Sequence, residues 1–286
     1  MGASLARSGA DVTLVVRRES VARYPRKLRL QSPFGDFEAD VSVAAEVPPV
    51  DVLWITVKAT QLESSLSAIT DPTSVRMILP LLNGLDHVAL LRSTYGQKKV
   101  VAATIAVESE RVSPGQIIHR SPFARLNISS AGHALLENTI DRLQAIGFEC
   151  RFVDDEPTLM WSKLVFLAAF ALTSTAGDKT TDAILADPEW RQLGLACIRE
   201  ACSVAVAEGA KLDADAIIST VLNTLAKIRM RSSMQKDVEQ GKTPELDAIA
   251  GPILRGARKH QIVTPAVRKL VVAVESRIGR ETGLLD

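Results

Sequence analysis

The chain has 286 residues, of which 47% are hydrophobic and 23% charged, and 34 basic and 33 acidic side chains leave a net charge of +1. This composition is typical of a globular protein of about two domains. Balanced charge gives no overall field to attract nucleic acid or an anionic membrane. The longest uninterrupted apolar run, Leu164 to Leu172, is shorter than the ~20 residues that cross a bilayer. We therefore expect neither a nucleic-acid-binding protein nor a membrane protein.

The cysteines and the start of the chain bear on location. Cys150, Cys197 and Cys202 are odd in number and lack metal-ligand spacing, which predicts reduced thiols and no metal centre. No basic and apolar signal-peptide pattern opens the sequence. These features predict a cytoplasmic protein.

The first half of the chain alternates short β-rich runs with helical spacing, which is typical of a parallel sheet with crossover helices. Met1 to Ser8 is predicted to end a helix that Gly9 caps, and Leu28 to Val43 is predicted to form a β-hairpin around Ser32 to Asp36. The predicted strands are Asp11–Val16, Asp51–Val57, Arg76–Leu82 and Lys99–Val107, and a further β-rich stretch covers Gln116–Ser129. The predicted helices between them are Thr60–Ile69 and Leu85–Ser93.

From about Pro157 onward the apolar residues recur at helical spacing only. The clearest helical runs are Trp190–Glu208, Asp215–Arg229, Glu245–His260 and Pro265–Ile278. Gly209 is predicted to end one helix, and Thr243 with Pro244 to begin another. The expected fold class is α/β: a Rossmann-like, doubly wound parallel sheet in residues 1–154, followed by an all-α C-terminal domain in residues 155–286.

One element of such a fold is not found in the sequence. A doubly wound sheet normally opens with a strand and a glycine-rich turn that holds a pyrophosphate at a helix N-terminus. The sequence begins instead with Met1 to Gly9, inside a predicted helix. We therefore expect the first strand and the phosphate loop to be missing, either through truncation or through real loss of nucleotide binding.

Several strand ends carry polar residues suited to ligand binding. Arg17 and Arg18 follow the predicted strand Asp11–Val16, at a strand end where arginine accommodates the 2′-phosphate of NADP. Taken alone, such an arginine pair is more often simply solvated. Lys58 and Asn83 follow the next two strands, at the edge where open α/β sheets bind ligands. Together they would offer an anionic ligand a cation and an amide.

Lys163 is the only charge in the apolar run from Met160 to Phe170. Such surroundings desolvate an ammonium and lower its pKa towards the range useful for proton transfer. A lysine whose stem lies along the core and whose head reaches water is the alternative. Further along, Ser233 lies twelve residues before Glu245, which is predicted to be in the first turn of a helix.

Taken in order, these motifs resemble the ketopantoate reductase family, the NADPH-dependent 2-dehydropantoate 2-reductases of pantothenate biosynthesis. The resemblance spans essentially the whole chain. Its motifs are Arg17, Val57-Lys58-Ala59, Asn83-Gly84, Trp161-x-Lys163-Leu164, Ser232-Ser233-Met234 and Thr243-x-Glu245-x-Asp247.

The resemblance implies a role for each matching residue. Lys163 is the general acid that protonates the ketone oxygen of a 2-keto acid as hydride arrives from NADPH. Glu245 orients the substrate and the cofactor, Ser233 contacts the substrate carboxylate, and Lys58 and Asn83 contact cofactor and substrate.

Other features leave the substrate open. Family members that reduce ketopantoate usually carry asparagines four and eight residues after the catalytic lysine, where this chain has Leu167 and Ala171. Apolar side chains there indicate a different or less polar substrate. Ala250-Gly251 also replaces an asparagine-glycine pair, and the following Pro252 is predicted to kink its helix. The alternatives are a non-catalytic binding relative and a dehydrogenase of another hydroxy acid or a sugar acid. The apolar faces of the C-terminal helices suit a homodimer and an intrachain core equally well.

Overall fold

The computed structural model describes residues 1–225 and 229–286. The chain forms two compact units. The first comprises Met1–Val57, Leu62–Leu81 and Leu90–Asp154, and the second comprises Lys58–Gln61, Leu82–Ala89 and Asp155–Asp286. Two short segments from the first half of the chain therefore belong to the second unit, and they carry the predicted residues Lys58 and Asn83.

The first unit is an α/β domain, which confirms the predicted Rossmann-like class. Its strands are β1 (Thr13–Val15), β2 (Lys27–Gln31), β3 (Phe37–Asp40), β4 (Ser42–Ala44), β5 (Val50–Ile55), β6 (Val75–Pro80), β7 (Ala103–Ala106), β8 (Ser109–Ser113), β9 (Gln116–His119), β10 (Arg125–Ser129) and β11 (Glu149–Val153). Its helices are α1 (Gly2–Arg7), α2 (Leu62–Leu66), α3 (Asp86–Tyr95), whose first turn belongs to the second unit, and α4 (His133–Gln144). Gly9 follows α1 with a φ of 88°, as its predicted capping position requires.

Over the described part of the chain, the sheets of this unit combine four parallel with three antiparallel strand pairs. β1 pairs with β4, β5 with β6, and β10 with β11, all in parallel. β6 has five buried residues out of six, the near-continuous apolar run typical of a parallel strand that is covered on both faces. β10 also pairs antiparallel with β7, so the sheet is mixed. Among the described residues, no strand joins the β1–β4 pair to the β5–β6 pair.

The predicted hairpin is confirmed. β2 and β3 are antiparallel, and Leu28 and Leu30 point to the core from alternate positions of β2. The turn is closed by the backbone N–H of Ser32, which donates to Oδ1 of Asp36 at 3.0 Å. The predicted β-rich stretch after Gln116 divides into two strands of different sheets, because β9 pairs with β2 whereas β10 pairs with β7 and β11.

The second unit is helical. Its helices are α5 (Glu156–Gly177), α6 (Thr181–Ala186), α7 (Pro188–Ala207), α8 (Ala214–Leu225), α9 (Ser233–Glu239), α10 (Leu246–His260) and α11 (Pro265–Ile278). Residues 226–228 of the predicted run Asp215–Arg229 lie outside the described residues. Pro252 lies inside α10, which continues past it to His260.

α5 is the central helix of the second unit. Asp155 caps it by accepting a hydrogen bond from the Thr158 backbone N–H, and Leu164, Val165 and Leu172 are at most 1% exposed. By length and composition α5 is apolar enough to cross a membrane, but 67% of its most apolar window is buried inside the structure. This burial is typical of the core helix of a globular domain.

Candidate functional site

Glu245 joins the two segments that follow β5 and β6. Its Oε1 atom accepts a hydrogen bond from the Ala59 backbone N–H at 2.8 Å, and its Oε2 atom accepts one from Nδ2 of Asn83 at 3.1 Å. The residue is only 6% exposed. A buried carboxylate is costly unless it is hydrogen-bonded, so these two bonds fix Glu245 against both segments.

These bonds also explain where α10 begins. The sequence predicts that Thr243 caps this helix and that Pro244 is its first residue, and this prediction is wrong. α10 begins at Leu246, and Glu245 is its N-cap residue with no side-chain capping bond. Both carboxylate oxygens of Glu245 are already used by Ala59 and Asn83, so tertiary hydrogen bonds take precedence over local capping.

Lys163 lies on α5 in electrostatic contact with Glu245. Burial lowers the pKa of Lys163 to about 8, and the negative charge of Glu245 offsets part of this effect. No hydrogen bond holds the Lys163 ammonium among the described residues, so its protons are available to a ligand. Lys163 is partly buried, and its lowered pKa is that of a desolvated ammonium rather than of a head in bulk water.

Lys58 has a partner that the sequence analysis missed. Its Nζ atom donates to both carboxylate oxygens of Asp237 at 2.5 Å, and the Asp237 side chain is 9% exposed. Asp237 lies on α9, one turn after Ser233 on the same face. A lone carboxylate four residues after a serine gives only a weak sequence signal.

The two adjacent serines of α9 differ in their surroundings. Ser232 is 1% exposed; it accepts a hydrogen bond from Oγ of Ser174 at 2.8 Å and caps α9 at the N–H of Gln235. Ser233 is exposed. Of these two serines, Ser233 is therefore the one whose hydroxyl is available to a ligand.

The segment from Asn83 to His87 is fixed to α10 at three points. Besides the bond from Asn83 to Glu245, Arg255 of α10 pairs with Asp86. The third point is Gly84, which has a φ of 89° and lies so close to α10 that an added Cβ would be 2.5 Å from the Ala248 carbonyl oxygen. Pro252 has no N–H to donate to that carbonyl, four residues earlier, so the Ala248 oxygen faces Gly84 without its helical partner.

Substituting Gly84 should test this close approach. We expect Gly84→Ala to lower stability by about 1–2 kcal/mol for the left-handed backbone, and further because its Cβ collides with a carbonyl. Gly96→Ala is the matched control, because Gly96 has a φ of 96° and open space around its added Cβ. Thermal unfolding would show a larger loss in melting temperature for Gly84→Ala than for Gly96→Ala; equal losses would mean that the Ala248 contact is not tight.

His87 is a second residue that the sequence analysis missed. It is 5% exposed, and its Nε2 atom is buried without a hydrogen-bond partner. Burial and the positive charge of Lys163 lower the pKa of His87 to about 4, so the ring is neutral at physiological pH. Its position three residues after Asn83-Gly84 is the only sequence signal that could have identified it.

The structure thus brings three of the predicted site residues together, because Glu245 accepts a hydrogen bond from Asn83 and acts on Lys163. Lys58 belongs to the same unit but pairs with Asp237, and only the backbone N–H of the neighbouring Ala59 bonds Glu245. Arg17 belongs to the first unit and is exposed.

Two of the positions where the sequence departs from the resembled family lie on the Lys163 helix. Leu167 and Ala171 are one and two turns after Lys163 on α5. Ala171 is 1% exposed, and Leu167 is partly buried against the helical core. The face of α5 that continues from Lys163 is therefore apolar at both positions.

Comparisons with known proteins identify the family of the chain. Residues 1–132 match the family described as ketopantoate reductase PanE/ApbA, and residues 157–277 match its C-terminal domain. The 2-dehydropantoate 2-reductase of Caulobacter vibrioides is 28% identical over 258 residues, which cover 86% of this chain and 85% of that protein.

Solved structures share the fold. The crystal structure of 2-dehydropantoate 2-reductase from Geobacter metallireducens has a TM-score of 0.85 and 25% identity, and the match covers 96% of this chain and 94% of that one. A D-mandelate dehydrogenase solved with NADH and anilino(oxo)acetate has a TM-score of 0.85 at 20% identity, over 97% of this chain and 94% of that one. The chain belongs to the ketopantoate reductase PanE/ApbA family of oxidoreductases.

Proposed function

We propose that the protein reduces a 2-keto acid to the corresponding 2-hydroxy acid with a nicotinamide cofactor, and that Lys163 is the proton donor. The observation that carries this proposal is the Lys163 ammonium, which has a pKa of about 8, no hydrogen-bond partner among the described residues, and Glu245 beside it. Residues 1–154 would bind the cofactor, and residues 155–286 would supply most of the substrate site.

The residues fit this chemistry. A nicotinamide cofactor, when bound, supplies a hydride to the carbonyl carbon. As the carbon–oxygen double bond becomes single, negative charge develops on the oxygen, and Lys163 stabilises that charge and transfers a proton to it. Glu245 keeps the ammonium protonated near neutral pH and holds Asn83, whose amide oxygen remains able to accept a hydrogen bond. Ser233 would donate to the substrate carboxylate.

Arg17 supports NADPH as the preferred cofactor. Its side chain is exposed and forms no ion pair or hydrogen bond among the described residues, whereas the neighbouring Arg18 pairs with Glu46. A free guanidinium after the first described strand fits a 2′-phosphate.

Arg17→Ala should therefore weaken the binding of NADPH and leave the binding of NADH nearly unchanged. The ratio of the NADPH to the NADH dissociation constant should rise by about tenfold or more. Fluorescence titration of both cofactors measures this ratio. Arg18→Ala is the matched control and should leave the ratio unchanged. An unchanged ratio in Arg17→Ala would remove Arg17 from the cofactor site.

The substrate is expected to be less polar than ketopantoate. Leu167 and Ala171 present no hydrogen-bonding group on the helix that carries Lys163, so a hydroxyl of the substrate placed there would lose its hydrogen bonds to water without replacement. We infer that 2-keto acids with aliphatic or aromatic side chains are preferred.

Steady-state assays with a substrate panel test the function. NADPH or NADH oxidation is followed with ketopantoate and with apolar 2-keto acids of increasing size. Turnover of any 2-keto acid supports the proposal, and a higher kcat/KM for the apolar compounds supports the specificity. Cofactor binding without turnover of any of them would favour a non-catalytic binding relative. The joint presence of Lys163 and Glu245 argues against that alternative, because a binding protein has no need of a proton donor and its partner.

Turnover of a hydroxy acid or sugar acid outside this panel would favour a different dehydrogenase of the same architecture. Size-exclusion chromatography with light scattering tests for a homodimer.

A further inference from the structure

His87 is a buried polar residue without a structural partner. Its ring is 5% exposed, and its Nε2 atom has neither solvent nor a hydrogen bond. A buried polar atom left unpaired costs about 1–3 kcal/mol, and such atoms are rare in folded proteins. A leucine would fill a purely structural position at this site without that cost. The unpaired atom therefore indicates a binding role for His87 rather than a packing role.

The surroundings of His87 restrict what that partner can be. The Lys163 charge acts on the ring, but an ammonium is itself only a donor, and no hydrogen bond joins the two residues among those described. Because the ring is neutral, one of its nitrogens carries a hydrogen. A neutral N–H beside a lysine suits an anionic oxygen, which both groups attract.

His87 is also held in place. It is the second residue of α3, and the preceding segment is tied to α10 through Asn83, Gly84 and Asp86. The backbone position of His87 relative to Glu245 is thus set before a ligand arrives. Pre-positioned groups bind more tightly because little conformational freedom is lost on binding.

We propose that His87 is a substrate-binding residue whose Nε2–H donates a hydrogen bond to the carboxylate of the 2-keto acid. This inference rests on the proposed reduction of a 2-keto acid. It assigns a binding group additional to Ser233, and it places the substrate carboxylate on the His87 side of Lys163, with the ketone oxygen at the Lys163 ammonium.

Three substitutions at position 87 test the role. His87→Leu removes both nitrogens at similar volume. His87→Gln keeps an amide N–H at about the distance of Nε2 from the backbone, and His87→Asn places its N–H at about the distance of Nδ1. At saturating NADPH, we expect His87→Leu to raise the KM for the 2-keto acid about tenfold or more. The KM for NADPH, measured at saturating 2-keto acid, should be unchanged. His87→Gln should restore most of the affinity, whereas His87→Asn should not.

Thermal unfolding separates binding from structure. His87→Leu should keep or raise the melting temperature, because it removes an unpaired buried atom. An unchanged KM for the 2-keto acid in His87→Leu would overturn the inference. A raised KM accompanied by a lower melting temperature and no rescue by His87→Gln would also overturn it. If the wild-type enzyme reduces no 2-keto acid at all, the proposed function itself fails, a result distinct from an active wild type with an unaffected His87→Leu variant.

Discussion

Lys163→Met is expected to reduce turnover of the 2-keto acid by about 10³-fold, which is within the range for loss of a general acid. Methionine matches the length of the lysine stem but has neither a charge nor a proton. Binding of NADPH should change little, because the assigned role of Lys163 is at the ketone oxygen. Equal losses in cofactor affinity and in turnover would contradict the general-acid role.

The same substitution should stabilise the fold. Burial lowers the Lys163 pKa from 10.5 to about 8, which corresponds to a cost of about 3 kcal/mol for the charged form in the folded state. Because the folded pKa lies below the unfolded one, this cost is fully present below pH 8 and disappears as the pH rises towards 10.5. Lys163→Met should therefore have a higher melting temperature than wild type at neutral pH, and the difference should shrink in alkaline buffer.

A surface lysine supplies the control for both effects. Lys269 forms an exposed ion pair with Glu189 at 3.4 Å, and such pairs contribute little to stability. Lys269→Met should leave turnover and melting temperature nearly unchanged. If it reproduced the effects of Lys163→Met, the loss of any positive charge, rather than of the buried proton donor, would be responsible.

Glu245→Gln is expected to have the second largest effect. Glutamine can accept the hydrogen bond from Ala59, but its amide group then faces the donor of Asn83, and the negative charge beside Lys163 is lost. We expect kcat/KM to fall by about 10²-fold, as for other losses of a positioned charged hydrogen bond. Because Glu245 raises the pKa of Lys163, the pKa seen in the pH profile should fall below about 8.

This change in the pH profile separates a catalytic from a structural role. Destabilisation alone would lower activity at every pH and leave the ionisation in place. Glu239→Gln is a matched control on α9, because Glu239 pairs with Arg231 and is not among the groups that act on Lys163. An unshifted ionisation in Glu245→Gln would show that Glu245 does not support the charge of Lys163.

Lys163 has a local sequence signal that leaves two interpretations open, and the resemblance to a family favours the catalytic one. A single charge in an apolar helical run indicates desolvation, and in the structure burial lowers the pKa of Lys163 to about 8. The strand ends indicated Lys58 and Asn83, and the resemblance to a family added the role of Glu245. In the structure Glu245 bonds Asn83 and the Ala59 backbone, whereas Lys58 pairs with Asp237. Their roles in catalysis remain predictions.

The residues that the sequence did not reveal act through tertiary contacts. Asp237 is recognisable only through its ion pair with Lys58, and His87 only through the burial of its ring beside Lys163. The start of α10 was mispredicted for the same reason, since local capping rules favour Thr243 whereas hydrogen bonds from distant segments select Glu245. Local sequence signals therefore predicted the long helices and the buried strands better than they predicted the partners of polar side chains.

The most direct test of Lys163 as proton donor is the pH dependence of kcat/KM in both reaction directions, measured on the wild-type enzyme from about pH 6 to 10. Reduction requires the protonated lysine, so its kcat/KM should be constant below about pH 8 and fall above it. Oxidation of the hydroxy acid requires the neutral lysine and should increase with pH through the same ionisation. A reduction rate that is independent of pH across this range, or that falls only on the acid side, would contradict the assignment.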